Sequence, residues 1–290
     1  SDCITTTTPK LAKTFGNFND NVNIFPNQFD WDLPQWNYDK NEVRKEMLGE
    51  WFPTDDKIII GWAGLTSHFE DIKRMAPIMK AIHDKYPNTH FVLAGMALKD
   101  TAVEITEDEH GNKKFEEKEI EDKSQTYKGR IEALFADIDP KRLKIFDALP
   151  LEEYGKFYAL YDISMAYIEH NTFASCKSEI KVVESARYGC IPVFSNFGGY
   201  KTMADQVPSN ISLKGFAIDY TTPKAWINAI SSHIDNYDET KKRALEFKEW
   251  SDNNYNINNH AEDRLSFYLR NAEEFHEDWY NENIAQNMDY

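Results

Sequence analysis

At 290 residues, with 41% apolar and 14% aromatic side chains, the chain can fill the core of one large α/β domain or two small ones. Its 49 acidic residues outnumber 33 basic ones for a net charge of −16, which argues against nucleic-acid binding, because phosphate contacts need clustered positive charge. Three cysteines (Cys3, Cys176 and Cys190) with no CxxC pair argue against a zinc ribbon and fit a reducing, cytoplasmic compartment; no apolar run approaches the roughly 18 residues of a membrane span, and no signal peptide is visible.

The chain does not open with Met, and SDCITTTTPKLAK reads as mid-protein sequence. Ile4 to Thr8 is a Thr-rich strand, Pro9 to Phe15 a short helix and Val22 to Phe25 a second short strand. The segment FDWDLPQW reads as an ordered, aromatic linker, and a domain core is expected from Lys57. From there strands and helices alternate. Ile58-Ile59-Ile60 is an apolar strand running into the loop Gly61-Trp62-Ala63-Gly64, and the helix after it carries Ile72, Met75, Ala76, Met79 and Ile82 on one face. Phe91 to Ala94 is the next strand. The charged run from Asp100 to Lys123 interrupts the rhythm as a solvated insertion, with flanks that can pair as a hairpin around His110-Gly111-Asn112. Helices at about Gln125–Ala136, Leu151–Tyr161, Pro223–Ile234 and Glu239–Trp250 then alternate with strands at Leu143–Phe146, Ile163–Tyr167 and Phe216–Ile218, and a last helix runs from Asn258. This alternation predicts an α/β fold with a Rossmann-like, doubly wound parallel sheet.

The most informative stretch is KSEIKVVESARYGCIPVFSNFGGY, from Lys177 to Tyr200. Ile180, Val183 and Ala186 recur at helical spacing, Gly189 supplies a left-handed stop, and Cys190 to Phe194 suits a strand buried in a parallel sheet. No GxGxxG follows a strand, and GxxxxGK[ST], HExxH and GxSxG are absent, which removes the P-loop, zincin and hydrolase readings; the eight histidines have no metal-ligand spacing. What remains are strand-to-helix loops. Gly61 to His68 offers backbone N–H groups to a phosphate, although tight-turn geometry explains its glycines as well. Lys177 and Ser178 open a helix where lysine opposes the dipole, so a nearby anion would rationalise it. Glu184 reads either as a solvated helix residue or as a cleft-facing carboxylate able to accept two hydrogen bonds from vicinal hydroxyls.

This stretch resembles the donor-binding signature of GT-B glycosyltransferases of the retaining group-1/family-4 type, through Glu184, Ser185-Ala186, Gly189, Ile191-Pro192-Val193, Ser195 and Gly198-Gly199. The resemblance extends in order over about residues 2 to 270. SDCITTTTPKLAK is similar to the end of the acceptor domain, and IFPNQFDWDLPQW to the interdomain crossover. IIIGWAGLTSHFEDI and FVLAG resemble the first two donor-domain strands, and ALPLEEYGKFYALYDISMAY a later strand–helix unit.

The resemblance implies a C-terminal, donor nucleotide-sugar-binding half: an acceptor-domain remnant over 1–22, a crossover over 23–56, a Rossmann-like donor domain over 57–250 and a helical segment over 251–290. It implies a hexosyltransferase that binds a nucleotide-diphosphate sugar as donor substrate, with no cofactor and no metal. The acceptor (glycan, lipid or protein) would be bound by an N-terminal domain outside this chain. Glu184 would hold the ribose hydroxyls. Gly61, Trp62, Ala63 and Gly64, with His68, would face the diphosphate; Phe146, Ala148 and Leu149 would flank the base; Gly198 and Gly199 would shape the pocket floor. The family's usual pair of acids is broken, since Cys176 stands at the earlier position, and the usual Arg and Lys of the first loop are replaced around Trp62 and His68. A variant KSxxK helix start is present instead. It gives Lys177 the phosphate-neutralising role, with Ser178 beside it and Lys181 as second choice, so that Lys177 and Glu184 are the expected catalytic pair. The alternative is a noncatalytic nucleotide-sugar-binding or scaffold module that has lost the chemistry.

Overall fold

The computed structural model describes residues 3–51, 57–96, 101–107, 113–120, 122, 124, 126–219 and 222–283. It opens with β1 (Ile4–Thr6), α1 (Pro9–Phe15) and β2 (Val22–Ile24), in which β1 and β2 form a parallel pair of their own. Thr8 caps α1 by accepting from the Leu11 N–H, and Pro9 occupies the first helical position, where its missing N–H costs nothing.

The aromatic linker is ordered as expected. Phe29 stacks on Trp31 at 4.6 Å, and Trp36 meets both rings edge-on. Beyond it the structure holds an element absent from the sequence reading: α2 (Lys40–Leu48), capped by Asp39, which accepts from the N–H groups of Asn41 and Glu42. Most of its residues are charged and only Val43 and Leu48 are buried, so its apolar stripe is too thin to stand out.

Next come β3 (Ile58–Ala63), α3 (Phe69–Lys85), β4 (Thr89–Met96), the antiparallel hairpin β5 (Thr101–Glu107) and β6 (Lys113–Glu119), and α4 (Tyr127–Leu134). The hairpin expected in the charged insertion is present, with Ile105 opposite Phe115; its turn, with His110, lies outside the described residues. Then follow β7 (Leu143–Asp147), α5 (Gly155–Leu160), β8 (Ile163–Ala166), α6 (Ile180–Arg187), β9 (Ile191–Ser195), α7 (Gly198–Ala204), β10 (Ala217–Ile218), α8 (Pro223–Asp235), α9 (Tyr237–Asn254) and α10 (Ala261–Asn283).

Six strands form one parallel sheet in the order β10-β9-β8-β3-β4-β7. From β3 the chain builds outward through β4 and β7, then crosses back to lay β8, β9 and β10 on the other side. The order therefore reverses between β3 and β8, and such a switch point opens a crevice at the carboxyl ends of the strands. Ile58 to Ala63 and Ile191 to Ser195 are buried without interruption, as strands covered on both faces must be. Pro192 fits inside β9 because Ile191 donates on the β8 side, so position 192 faces the other way, where β10 pairs only with Phe194 and Ser195 and does not reach it. Gly189 ends α6 at φ +61°, the left-handed stop read from the sequence.

The amino ends of the strands are closed by α2. Asp162, buried ahead of β8, accepts from the Arg44 guanidinium at 2.7 Å and from the Ile59 N–H at 2.9 Å. Lys40 reaches the carbonyls of Tyr161 and Tyr188, and Arg44 that of Leu160. The charged side chains of α2 are thus its attachment to the core, and a hydropathy pattern cannot show this.

Candidate functional site

A cleft of about 700 Å³ lies over the carboxyl ends of the strands at the switch point. Gly64, Leu65 and His68 enter from the β3–α3 loop, Leu149 and Leu151 follow β7, and Tyr154 precedes α5. Cys176, Lys177, Ser178 and Ile180 run into α6, which supplies Lys181 and Glu184, while Tyr200 comes from α7. Three separate strand-end loops therefore converge on one site.

Helix α6 dominates it. Val182 through Ala186 are all buried, because the helix lies between the sheet and α9, so Glu184 is inward-facing rather than solvated. Lys181 and Glu184 are three residues apart and share the cleft-facing side of the helix. Lys181 Nζ sits 4.8 Å from the centre of the Trp62 ring and has no hydrogen-bond partner among the described residues. Burial pulls its pKa down to about 8, against the opposing pull of Asp71 and Glu184. Burial pushes Glu184 up to about 8, partly offset by the Tyr158 hydroxyl, which donates to Oε2 at 2.7 Å, and by Lys181. The site thus holds an ammonium without a partner and a carboxyl that gives up its proton reluctantly, a pairing that an anionic, hydroxyl-bearing ligand would complete.

Lys177 is less isolated. Its Nζ lies 3.3 Å from His68 Nδ1 and 4.0 Å from Asp71, and Asp71 contacts the same His68 nitrogen at 2.7 Å. The Asp71 contact favours the imidazolium, but burial with Lys181 and Lys177 outweighs it and holds His68 below its ordinary pKa. With the Asp71 carboxylate at 2.7 Å, Nδ1 of a neutral His68 carries the proton and donates it to Asp71, so it offers Lys177 no lone pair and the lysine donors remain for the cleft.

The structure redistributes the glycine loop. Gly61, Trp62 and Ala63 belong to β3 rather than to a loop, and all three are buried. A Cβ on Gly61 would stand 2.0 Å from the Tyr161 ring, so that glycine serves sheet packing and not a diphosphate. Trp62 acts from below, as the floor under Lys181. The Gly64 N–H donates to Ala94 O, so the donors left for a phosphate are those of Leu65, Thr66 and Ser67, at the start of the 3-10 turn Thr66–His68. Gly64 itself leaves room for the cation, since a Cβ there would meet Lys181 Nζ at 2.8 Å.

Other expected residues divide. Leu149 lines the cleft, whereas Phe146 packs against the core and the Ala148 N–H is used by Met96 O. Ser178 lines the cleft and its hydroxyl accepts from Asn27. Lys177 and Ser178 stand just ahead of α6, while Lys181 lies in its first turn, about one turn closer to the helix N-terminus than a helix opening at Lys177 would place it. Gly198 and Gly199 sit behind the wall: a Cβ on Gly199 would be 2.4 Å from Lys177 O, so the pair lets α7 press against the segment carrying Lys177. The sequence reading missed Tyr154, Tyr158 and Asp71. The one available signal was spacing, with two tyrosines four apart and Asp71 three after His68. Among the described residues no group of His, Cys, Asp or Glu is placed to hold a metal ion.

No protein-family profile matches the chain, and no curated protein matches it in sequence. Solved structures do match. Sucrose-phosphate synthase from Thermosynechococcus elongatus superposes with a TM-score of 0.62 at 14% identity, over 93% of this chain and 58% of that protein. Anabaena HepE, solved with UDP-glucose, gives 0.63 at 12% identity over 96% and 64%. The catalytic domain of Arabidopsis thaliana starch synthase IV, bound to ADP and acarbose, gives 0.57 at 14% over 93% and 56%. The chain therefore has the Rossmann-like fold of GT-B glycosyltransferases, and it spans about 60% of the length of the solved proteins it matches.

Proposed function

We propose that the chain is the donor half of a metal-independent, retaining glycosyltransferase and that the cleft binds a nucleotide-diphosphate hexose. The observation that carries this reading is the buried, unpartnered ammonium of Lys181 beside the buried carboxyl of Glu184 at the switch point. Lys181, Lys177 and the N–H groups at the starts of the 3-10 turn and of α6 would meet the diphosphate. Lys181 takes precedence over Lys177 here, because Lys177 already has a carboxylate, Asp71, at 4.0 Å. Glu184 would accept the vicinal ribose hydroxyls. As the glycosidic bond breaks, negative charge grows on the leaving diphosphate, and prearranged positive groups stabilise it without a metal. The acceptor would approach on the same face and lose its proton to a leaving-phosphate oxygen. The sparse, odd count of three cysteines fits a cytoplasmic protein, and no helix among the described residues is long and apolar enough to cross a membrane.

An acceptor-binding domain belongs to the same reading. Parallel strands are normally covered on both faces within larger sheets. The β1–β2 pair stands apart from the main sheet, α1 between them buries no residue, and Phe18 is 80% exposed. A further Rossmann-like unit supplying strands beside β1 or β2 would cover this unit, and would carry recognition of a glycan, lipid or protein acceptor.

Thermal unfolding with UDP, GDP, ADP and their sugars tests the reading. A ligand at 100 times its Kd stabilises by about 2.7 kcal/mol. Stabilisation by at least one nucleotide, abolished in Lys181→Ala and Glu184→Ala, is expected. No response to any nucleotide would leave the noncatalytic scaffold reading in its place.

A further inference from the structure

Glu184 is held by a feature that nucleotide binding alone does not require. Tyr154, just ahead of α5, and Tyr158 within it lie four residues apart, their hydroxyls 3.4 Å from each other, and Tyr158 donates onward to Glu184 Oε2 at 2.7 Å. Tyr158 is fully enclosed, packed edge-on against Tyr161 at 5.9 Å, and its carbonyl accepts from the Cys190 thiol at the entry to β9. Tyr154 lines the cleft. The pair therefore forms a hydroxyl chain from the cleft wall to one oxygen of the carboxyl, on a scaffold anchored to two strands.

We infer that Tyr158, backed by Tyr154, is the positioning residue for Glu184. Its phenol holds the carboxyl in one cleft-facing orientation and occupies one lone pair of Oε2, leaving Oε1 and the remaining Oε2 lone pair for two vicinal hydroxyls. This rests on the reading of the cleft as a nucleotide site. A long acidic side chain enclosed by apolar walls would otherwise turn among several rotamers, and a ligand would have to order it on binding. The groups facing Glu184 are Tyr154 and Tyr158 from α5, Lys181 on its own helix and Tyr200 from α7. Among the described residues only Tyr158 donates to the carboxyl directly. Its donation favours the carboxylate, against the larger effect of burial.

The Tyr158→Phe variant, which keeps the ring and removes the donor, decides the matter with two readouts. Titration calorimetry with UDP, GDP and ADP is compared with inorganic pyrophosphate, which has no ribose. Affinity for any nucleoside diphosphate that the parent chain binds is expected to fall about tenfold, the factor carried by one lost hydrogen bond. Pyrophosphate affinity should stay within about twofold, and Tyr158→Phe should add nothing further in a Glu184→Gln background. Carbon-13 carboxyl titration of Glu184 should show its midpoint moving up in Tyr158→Phe. Equal losses for pyrophosphate and nucleotides, independent losses in the double variant, or an unmoved Glu184 midpoint would each overturn the inference and leave Tyr158 a packing residue. If the parent chain binds no nucleoside diphosphate, the nucleotide reading fails on its own, and the carboxyl titration still decides whether Tyr158 governs Glu184.

Discussion

The two ends of the parallel sheet bury the same chemistry and treat it in opposite ways. At the amino ends, Asp162 accepts from Arg44 and from the Ile59 N–H, and Lys40 meets two carbonyls. Burial pushes Asp162 up, but Arg44, Lys40 and the Ile59 N–H outweigh it and hold the carboxyl below its ordinary pKa. At the carboxyl ends, Lys181 has no hydrogen-bond partner among the described residues and Glu184 has one phenol, and burial prevails over both. A buried charge with all its partners is accommodated by the fold and is costly to break, whereas one lacking partners costs stability until something else supplies them. The difference separates the structural end of the molecule from the end that can bind.

The contrast is easiest to break at Asp162. Asp162→Ala strands Arg44 and Lys40 in the interior, and denaturant unfolding should show a loss of about 3–5 kcal/mol; a loss under about 1 kcal/mol would remove the contrast. Lys181→Met should behave oppositely. Replacing an unpartnered ammonium with an apolar chain of similar length should raise stability by about 1–2 kcal/mol while pyrophosphate affinity drops about a hundredfold. A destabilised variant with unchanged anion affinity would make Lys181 a structural residue.

The pH dependence of stability sharpens the comparison further. Glu184, raised from 4.5 to about 8, binds more protons folded than unfolded between those values, so its contribution falls as pH rises from 4.5 to 8 and is flat above. Lys181, lowered from 10.5 to about 8, binds fewer protons folded than unfolded between 8 and 10.5, so stability recovers over that window. Unfolding free energy should therefore show a minimum near pH 8. Glu184→Gln should erase the lower limb and Lys181→Met the upper. Asp162 adds a separate acid limb, since its depressed pKa contributes stability that is lost as pH falls through the folded value, below 3.8. The smallest effect is expected at Lys177, which is partly exposed and already paired: Lys177→Ala should weaken pyrophosphate binding by roughly three- to tenfold, the scale of one screened charge contact. A loss as large as that of Lys181→Met would return Lys177 to the leading role.

Much of the architecture was legible in the sequence, because buried parallel strands and amphipathic helices leave distinct periodicities. The alternation from Ile58 onward, the stop at Gly189 and the hairpin in the charged insertion all stand in the structure. α2 was not legible, since its hold on the core is electrostatic and its partners lie more than 100 residues away. Within the site, Lys177, Ser178, Lys181, Glu184, Gly64, His68 and Leu149 do meet in one cleft. Gly61 did not, because a glycine needed beside an aromatic ring reads the same as one needed beside a phosphate.

Local chemistry alone therefore determined the order and kind of the elements, and it singled out the segment from Lys177 to Tyr200 as the one bearing charges beside a buried strand. Tertiary structure decided which charges are satisfied. It put Tyr158 against Glu184, 26 residues away, and Arg44 against Asp162, 118 residues away, and set Lys181 over Trp62 with nothing to bond to. Partner supply is a property of three-dimensional proximity and enclosure. Spacing along the chain places a lysine or a glutamate on a helix face, but only the packed surroundings settle whether it anchors the fold or waits for a ligand.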